Sequence, residues 1–295
     1  ILQVANWVFL AGEGSYQDLF QETGGARSPL EHYWSLAIEE QFYWVWPPTF
    51  AALAVLARRR GWPLVRVLAV PTVAFVALGP AIAAAWGPDA AYWATPARIG
   101  EILTGATAAA LVADRGSPAW TRRATPAALV AVLAACVAFP TVGGPAYGGW
   151  LPALSTVTAV LLLGLQHPGP VRRALSVRPL VALGAISYGV YLFHWPIFVV
   201  VDEARLGTGG AVLFAVRVAL TLAVAIASYR LVEQPVRRLR TAPRPTLIAG
   251  LGLTAACVAL VAVVPRTGTT IDTAGDDAAG AAIRTDDPVG PLTVA

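Results

Sequence analysis

Eight apolar runs, each near the length that crosses a lipid bilayer, follow one another along the chain with short polar or Pro/Gly-rich breaks between them. They fall near residues 36–57, 64–86, 97–113, 124–141, 150–166, 180–201, 210–232 and 246–264. A helix needs about 20 apolar residues to span the hydrocarbon core. In lipid the backbone must satisfy its own hydrogen bonds, which selects helices over open strands. Composition agrees: 57% of the residues are hydrophobic and 13% charged, where a soluble globular chain carries about 25% charged residues. The expectation is an all-α integral membrane protein with about eight transmembrane helices and short loops, multi-pass in the cell (plasma or inner) membrane.

The loops give an orientation. Every one of the 21 basic residues is arginine. They gather after the first run (Arg58, Arg59, Arg60, Arg66), between the third and fourth (Arg115, Arg122, Arg123), between the fifth and sixth (Arg172, Arg173, Arg178) and between the seventh and eighth (Arg237, Arg238, Arg240, Arg244). The alternate loops hold only Arg205. That alternation follows the positive-inside rule and predicts both ends of the chain on the extracytoplasmic side. The same clusters have the chemistry to meet acyl-CoA phosphates or anionic lipid heads, but topology is the more general reason for them. A net charge of +4 distributed in this way gives no expectation of nucleic acid.

Residues 1–265 read as one membrane domain. Residues 266–295, rich in Gly, Thr, Ala and Asp without an apolar period, read as a disordered extracytoplasmic linker. Cys136 and Cys257 lie inside apolar runs, so neither a disulfide nor a metal site is expected. The chain contains no Met and opens Ile1-Leu2-Gln3, the appearance of a processed or internal segment.

Three polar constellations interrupt the apolar runs. In the first, Ser28 and Glu31 have the spacing of a capping box, with Pro29 at the first helical position. A helix is predicted from about Pro29 inward, with a kink or break at Pro47-Pro48. On it His32, Ser35, Glu39 and Tyr43 form one stripe, with His32 and Glu39 about 10 Å apart along the axis. Ionisable groups on a spanning helix are costly unless they face protein or water, so a buried site and a wet interfacial cap are the two readings. In the second, Thr95 caps and Pro96 starts a helix on which Arg98 and Glu101 can pair. Gly105 and the following alanines offer it a face for close packing. In the third, Ser187, Tyr191 and His194 share a face of the sixth run, ahead of Trp195-Pro196, as a pocket wall or part of an interfacial aromatic belt. Arg217, inside the seventh run, needs a partner, with Glu39, Glu101 and Glu203 open to it. His167 reads as a solvated loop residue.

These residues, in this order, resemble acyltransferase family 3, the bacterial membrane O-acyltransferases. Asn6-Trp7, Tyr16, Ser28-Pro29 through His32, Trp34-Ser35-Leu36, Glu39-Glu40-Gln41-Phe42-Tyr43 and Trp46-Pro47 are similar to its signature. Arg98, Glu101 and Gly105 resemble its Arg-x-x-Glu…Gly helix. Ile186-Ser187-Tyr188 through Leu192, with His194-Trp195-Pro196, resembles its penultimate motif, and Tyr229 through Pro235 its closing Tyr…Glu-x-Pro motif.

The resemblance implies an enzyme that moves an acyl group, often acetyl from acetyl-CoA, onto a hydroxyl of an extracytoplasmic glycan or other cell-surface molecule. Acyl-CoA is then a co-substrate rather than a bound cofactor. Membrane lipid and a glycan or lipid-linked acceptor are the partners. The family's first helices, which carry an Arg and a His implicated in catalysis, are not in this sequence, so the main base is expected upstream and the chain alone is expected to be inactive. On this chain His32, with Glu39 in support, is the catalytic candidate, and Trp34, Ser35, Tyr43, Arg98, Glu101, Tyr191 and His194 are candidates for binding substrate. The alternative is a transporter or flippase of a lipid-linked sugar, which would show internal repeats and paired broken helices. Each polar constellation occurs once.

Overall fold

The computed structural model describes residues 4–11, 29–30, 32–140 and 144–238. The eighth run, the acidic tail, Cys257, and the capping pair Ser28 and Glu31 lie outside the described residues. Nearly every element belongs to one compact unit, Ile1–Val236; the second unit begins at Arg237.

Among the described residues every regular element is a helix. A short α1 (Ala5–Ala11) precedes α2 (Tyr33–Arg60) and α3 (Leu64–Trp86); α4 (Pro88–Trp93) then leads into α5 (Thr95–Arg115). After these come α6 (Ala119–Ala138), α7 (Leu151–Gly164), the short α8 (Pro170–Leu175), α9 (Arg178–Val200) and a single turn, α10 (Glu203–Leu206). The last helix begins as α11 (Gly210–Ser228), passes through a π-helical stretch at Tyr229–Glu233 and ends as α12 (Gln234–Arg238). Helices therefore stand at all seven runs that fall within the described residues. Four of them, 64–86, 119–138, 178–200 and 210–238, are long and apolar enough to cross a membrane. α7 has 14 residues, and α2 and α5 each carry several charges. The chain is a multi-pass membrane protein.

Two sequence expectations about α2 are corrected. The helix begins at Tyr33 rather than near Pro29, because residues 29–30 form a turn closed by the Tyr33 N–H donating to the Leu30 carbonyl at 3.1 Å. It also runs unbroken through Pro47 and Pro48. Each proline leaves an acceptor one turn back without its usual donor, but the helix on both sides carries the chain across. α2 stops at Gly61, whose φ of 62° is the left-handed turn that glycine adopts without strain.

Packing is set by small residues. α3 lies along α5, and a Cβ on Gly100 would fall 2.8 Å from the Val76 nitrogen. Thr72 of α3 donates to the Leu68 carbonyl and meets the Thr107 hydroxyl at 2.6 Å. α6 lies along α7, where a Cβ on Gly164 would meet the Thr125 hydroxyl. α9 lies along α11, with Gly189 against Ala225. Without a hydrophobic drive between helices in lipid, such close approach is what holds them. The expected small-residue contact at Gly105 is not made: its Cβ position faces open space, and Gly100, five residues earlier, takes that part. Elsewhere large apolar side chains such as Leu180, Val181, Leu183 and Phe214 are exposed, as a lipid-facing surface requires.

Candidate active site

Consecutive long helices alternate in direction, which sorts the chain's ends into two faces. The arginine clusters of this unit cap one face, at the ends of α2 and α5 and around α8. The opposite face carries the start of α2, the start of α5, the end of α9 and the start of α11. Nearly all of the candidate chemistry is on that second face.

At its centre the N-terminal end of α2 meets the C-terminal part of α9. His32 immediately precedes α2, and its Nε2 lies 3.3 Å from the Leu192 carbonyl oxygen. A carbonyl only accepts, so Nε2 carries the proton and donates, and Nδ1 keeps the lone pair. That Nδ1 is enclosed and has no hydrogen-bond partner among the described residues. His194 is bound in the complementary sense: its Nδ1 donates to the Tyr191 carbonyl at 2.6 Å, one turn back on its own helix. No hydrogen bond joins its Nε2 to any of the described residues. The two imidazole rings are 5.4 Å apart, edge to face.

Two hydroxyls fix the His32 backbone. Tyr191 donates to its carbonyl oxygen at 3.0 Å and Ser35 donates to the same oxygen at 3.3 Å, while the Tyr191 and Ser35 hydroxyls also touch each other. The neighbouring rings of Tyr33, at 4.3 Å, and Trp195, at 6.5 Å, complete the wall around the imidazole. Burial pushes the His32 imidazole below its ordinary 6.5, and the nearby His194 pushes it the same way; the hydrogen bond to Leu192 opposes both.

The predicted stripe on α2 therefore divides. His32 and Ser35 enter the cluster, whereas Glu39 and Tyr43 are exposed and no hydrogen bond joins Glu39 to His32. The Tyr191 hydroxyl does lie within electrostatic range of Glu39 and Arg98. Trp34 is core: it is buried, with its ring packed on Trp93 at 5.0 Å and Tyr92 at 5.1 Å. Ser187 faces away, donating to the Gly184 carbonyl. His167 lies in a loop, as expected, but is half-buried rather than fully solvated. Its Nε2 reaches the Pro118 carbonyl at 3.2 Å and ties the turn after α7 to the start of α6.

Arg98 and Glu101 pair as expected, at 3.2 Å. The Arg98 guanidinium also sits over the Tyr92 ring, 5.5 Å from its centroid. The pair is not saturated, because Arg98 Nη1 and Glu101 Oε1 are buried with no hydrogen-bond partner among the described residues. Glu101 lines a cavity of about 320 Å³ between α5 and α7, with Gly105, Ser155 and Thr158. A second cavity, about 370 Å³ and apolar, lies among α2, α3 and α5.

The sequence reading missed a buried ring of hydrogen bonds that holds these elements in place. Asn6 Nδ2 donates to the Thr95 hydroxyl at 3.0 Å, Thr95 donates to Gln41 Oε1 at 2.6 Å, and Gln41 Nε2 donates to Asn6 Oδ1 at 2.9 Å. Asn6 also caps the Trp93 carbonyl, and Trp7 donates to Gln41. Thr95 is thus no helix cap: Ala94 precedes α5, and the Thr95 hydroxyl serves the ring instead. The signal available was the presence of Asn6 and Gln41 among apolar neighbours.

Comparison with known proteins settles what kind of chain carries this arrangement. The family model described as "Acyltransferase domain" matches residues 1–230. The chain belongs to acyltransferase family 3. It is 30% identical over 250 residues to the "Putative peptidoglycan O-acetyltransferase YrhL" of Bacillus subtilis, covering 80% of this chain and 38% of that protein. It is 29% identical over 245 residues to the "Peptidoglycan O-acetyltransferase OatA" of Listeria monocytogenes, covering 80% of this chain and 39% of that protein. It is 28% identical over 253 residues to the "O-acetyltransferase OatA" of Staphylococcus aureus, covering 81% and 40% respectively. The chain thus spans less than half the length of the curated relatives it matches. No solved structure matches it.

Proposed function

We propose that this acyltransferase-family chain serves an O-acyltransferase that moves an acyl group, acetyl by preference, from acyl-CoA to a hydroxyl of an extracytoplasmic glycan. The observation that carries the reading is the pair His32 and His194, each holding one ring nitrogen on a backbone carbonyl and leaving the other without a hydrogen bond among the described residues. A sugar hydroxyl has a high pKa and needs a base to take its proton as it attacks a thioester carbonyl. His194 Nε2 is the nitrogen placed to accept that proton. His32, enclosed beside it, holds the cluster's geometry and must stay uncharged. The tetrahedral oxyanion then needs a fixed donor in a dry site. Arg98 Nη1, buried and without a partner among the described residues, is such a donor. The Tyr191 and Ser35 hydroxyls are already committed to the His32 carbonyl, so their part is to position.

The face bearing this cluster is the one opposite the arginine clusters. By the positive-inside rule it is the extracytoplasmic face, where a glycan acceptor stands. A full set of about eight spans belongs to the same proposal. The relatives' names concern peptidoglycan, which makes a peptidoglycan hydroxyl the first acceptor to try. They give the transporter alternative no support.

The test is transfer of radiolabelled acetyl from acetyl-CoA to glycan fragments by the full-length protein in lipid nanodiscs. An alkali-labile ester on the glycan is expected, and His194→Ala should reduce it by roughly 10²–10⁴-fold. No ester from the wild type refutes the activity. Unchanged transfer in both His194→Ala and His32→Ala places the chemistry elsewhere.

A further inference from the structure

Arg217 stands at the start of the third turn of α11, a helix apolar enough to cross a bilayer. A guanidinium at that depth is costly unless it meets protein or an aqueous cavity, and the few that occur mark ligand or ion paths. Of the three carboxylates left open to it by the sequence, the structure pairs it with none. Its Nε donates to the Val201 carbonyl at 2.7 Å, and its Cζ lies 5.2 Å from the centroid of the Phe198 ring. Among the described residues neither Nη group has a hydrogen-bond partner. The two contacts hold the fork in place and leave its two-pronged end for something else.

That end borders a cavity of about 470 Å³, which Trp195, Phe198, Asp202 and Arg205 also line. Asp202 is already engaged by Arg205: its Oδ1 accepts from the Arg205 backbone N–H at 2.8 Å, and its Oδ2 lies 4.0 Å from Nε. The Arg205 guanidinium donates to the Val200 carbonyl as well. Among the described lining residues, two arginines against one aspartate leave a single uncompensated positive charge, and it is on Arg217. One surplus charge matches a carboxylate; a diphosphate would bring more negative charge than the cavity balances. Trp195 adds an aromatic wall of the kind that lies against the apolar face of a sugar ring.

The cavity adjoins the imidazole pair. The Trp195 ring is 6.5 Å from His32 and the Phe198 ring is 6.5 Å from His194. We propose that this cavity is the acceptor subsite for a carboxylate-bearing sugar, with the two Nη groups of Arg217 clamping the carboxylate in a bidentate pair and so presenting a hydroxyl to the histidines. The word acceptor rests on the acyl-transfer reading above; the binding itself does not.

The experiment measures binding to the full-length protein in nanodiscs by saturation-transfer NMR. The probes are glucuronate and N-acetylmuramate, each against its methyl ester and against neutral glucose or N-acetylglucosamine. The acids should bind roughly tenfold or more tightly than the esters and neutral sugars. Arg217→Gln should abolish that preference and Arg217→Lys should restore only part of it, since an ammonium keeps the charge but not the fork. Equal binding of acid and ester, or no binding of either acid at millimolar concentration, overturns the proposal. So does displacement of the acids by inorganic diphosphate at lower concentration. The ester comparison needs no variant, so a misfolded Arg217→Gln does not obscure the answer. Acids that bind to a protein that transfers no acetyl group would refute the activity and leave the subsite standing. An unchanged KM for an acidic acceptor in Arg217→Gln would remove the subsite alone.

Discussion

His32 and His194 meet edge to face, with ring centroids 5.4 Å apart and planes at 72°, and each gives one nitrogen to a backbone carbonyl. In the proposed chemistry the pair works as a base only while both rings are neutral, because a proton on His32 would place a charge beside the nitrogen that must accept one. Burial and the neighbouring ring keep His32 below its ordinary 6.5. For a base with a lowered pKa the neutral form persists to lower pH. The His32 ring should therefore titrate below 6.5 and be uncharged at neutral pH. The ring C–H shifts of His32 in histidine-labelled full-length protein, assigned by their loss in His32→Asn, give this value directly, and a midpoint above 6.5 would contradict the pairing.

Tyr191 and Ser35 converge on one acceptor, the His32 carbonyl oxygen, and on each other. Groups sharing a partner are coupled. Tyr191→Phe and Ser35→Ala should each slow transfer, and the double variant should be little worse than the poorer single one, with a coupling of about 0.5–3 kcal/mol. The measurement is a double-mutant cycle on kcat/KM in full-length protein whose membrane insertion is verified. Simple additivity would mean that the two hydroxyls act separately.

The helices were legible in the sequence because lipid leaves an apolar segment few other structures to adopt. The ion pair of Arg98 and Glu101 was legible because it lies within one turn of one helix. What could not be read was set by partners distant along the chain. Thr95 looked like a cap, since Thr before Pro commonly is one, yet its hydroxyl goes to Gln41. Tyr191 and His194 were placed on one face by periodicity, but nothing local said that His32 would complete the cluster. Conversely, periodicity put Glu39 on the same stripe as His32, but Glu39, two turns further along, is exposed and makes no hydrogen bond to the imidazole. Pro47-Pro48 was read as a break because local rules disfavour proline in a helix interior; the helix continues because its other backbone bonds have nowhere else to go in lipid.

Helix packing offers a separate check. A Cβ on Gly100 would stand 2.8 Å from the Val76 nitrogen and 2.9 Å from the Phe75 carbonyl, both backbone atoms that cannot swing aside. Gly100→Ala should cost about 1–3 kcal/mol through overpacking, seen as a lower melting temperature in detergent. Gly105→Ala meets nothing within 4 Å and should stay within about 0.5 kcal/mol of the parent. Equal losses would show that α3 and α5 are not packed in this way.

Orientation decides which side of the membrane the imidazole pair serves, and it too can be measured. Ala204, in α10, is exposed on the face that carries the His cluster; Ser176, between α8 and α9, is exposed on the face with the arginine clusters. The positive-inside rule keeps short arginine-rich loops cytoplasmic, so Ala204 should be outside and Ser176 inside. With Cys136 and Cys257 replaced by alanine, Ala204→Cys should react with a membrane-impermeant thiol reagent in intact bacteria. Ser176→Cys should react only after permeabilisation. Labelling of both from outside would break the alternation of helices α9 and α11 across the membrane. A reversed pattern would preserve the fold but put the histidines and Arg217 on the cytoplasmic face, where an extracytoplasmic glycan could not reach them. The proposed acceptor would then be wrong even with every helix in place.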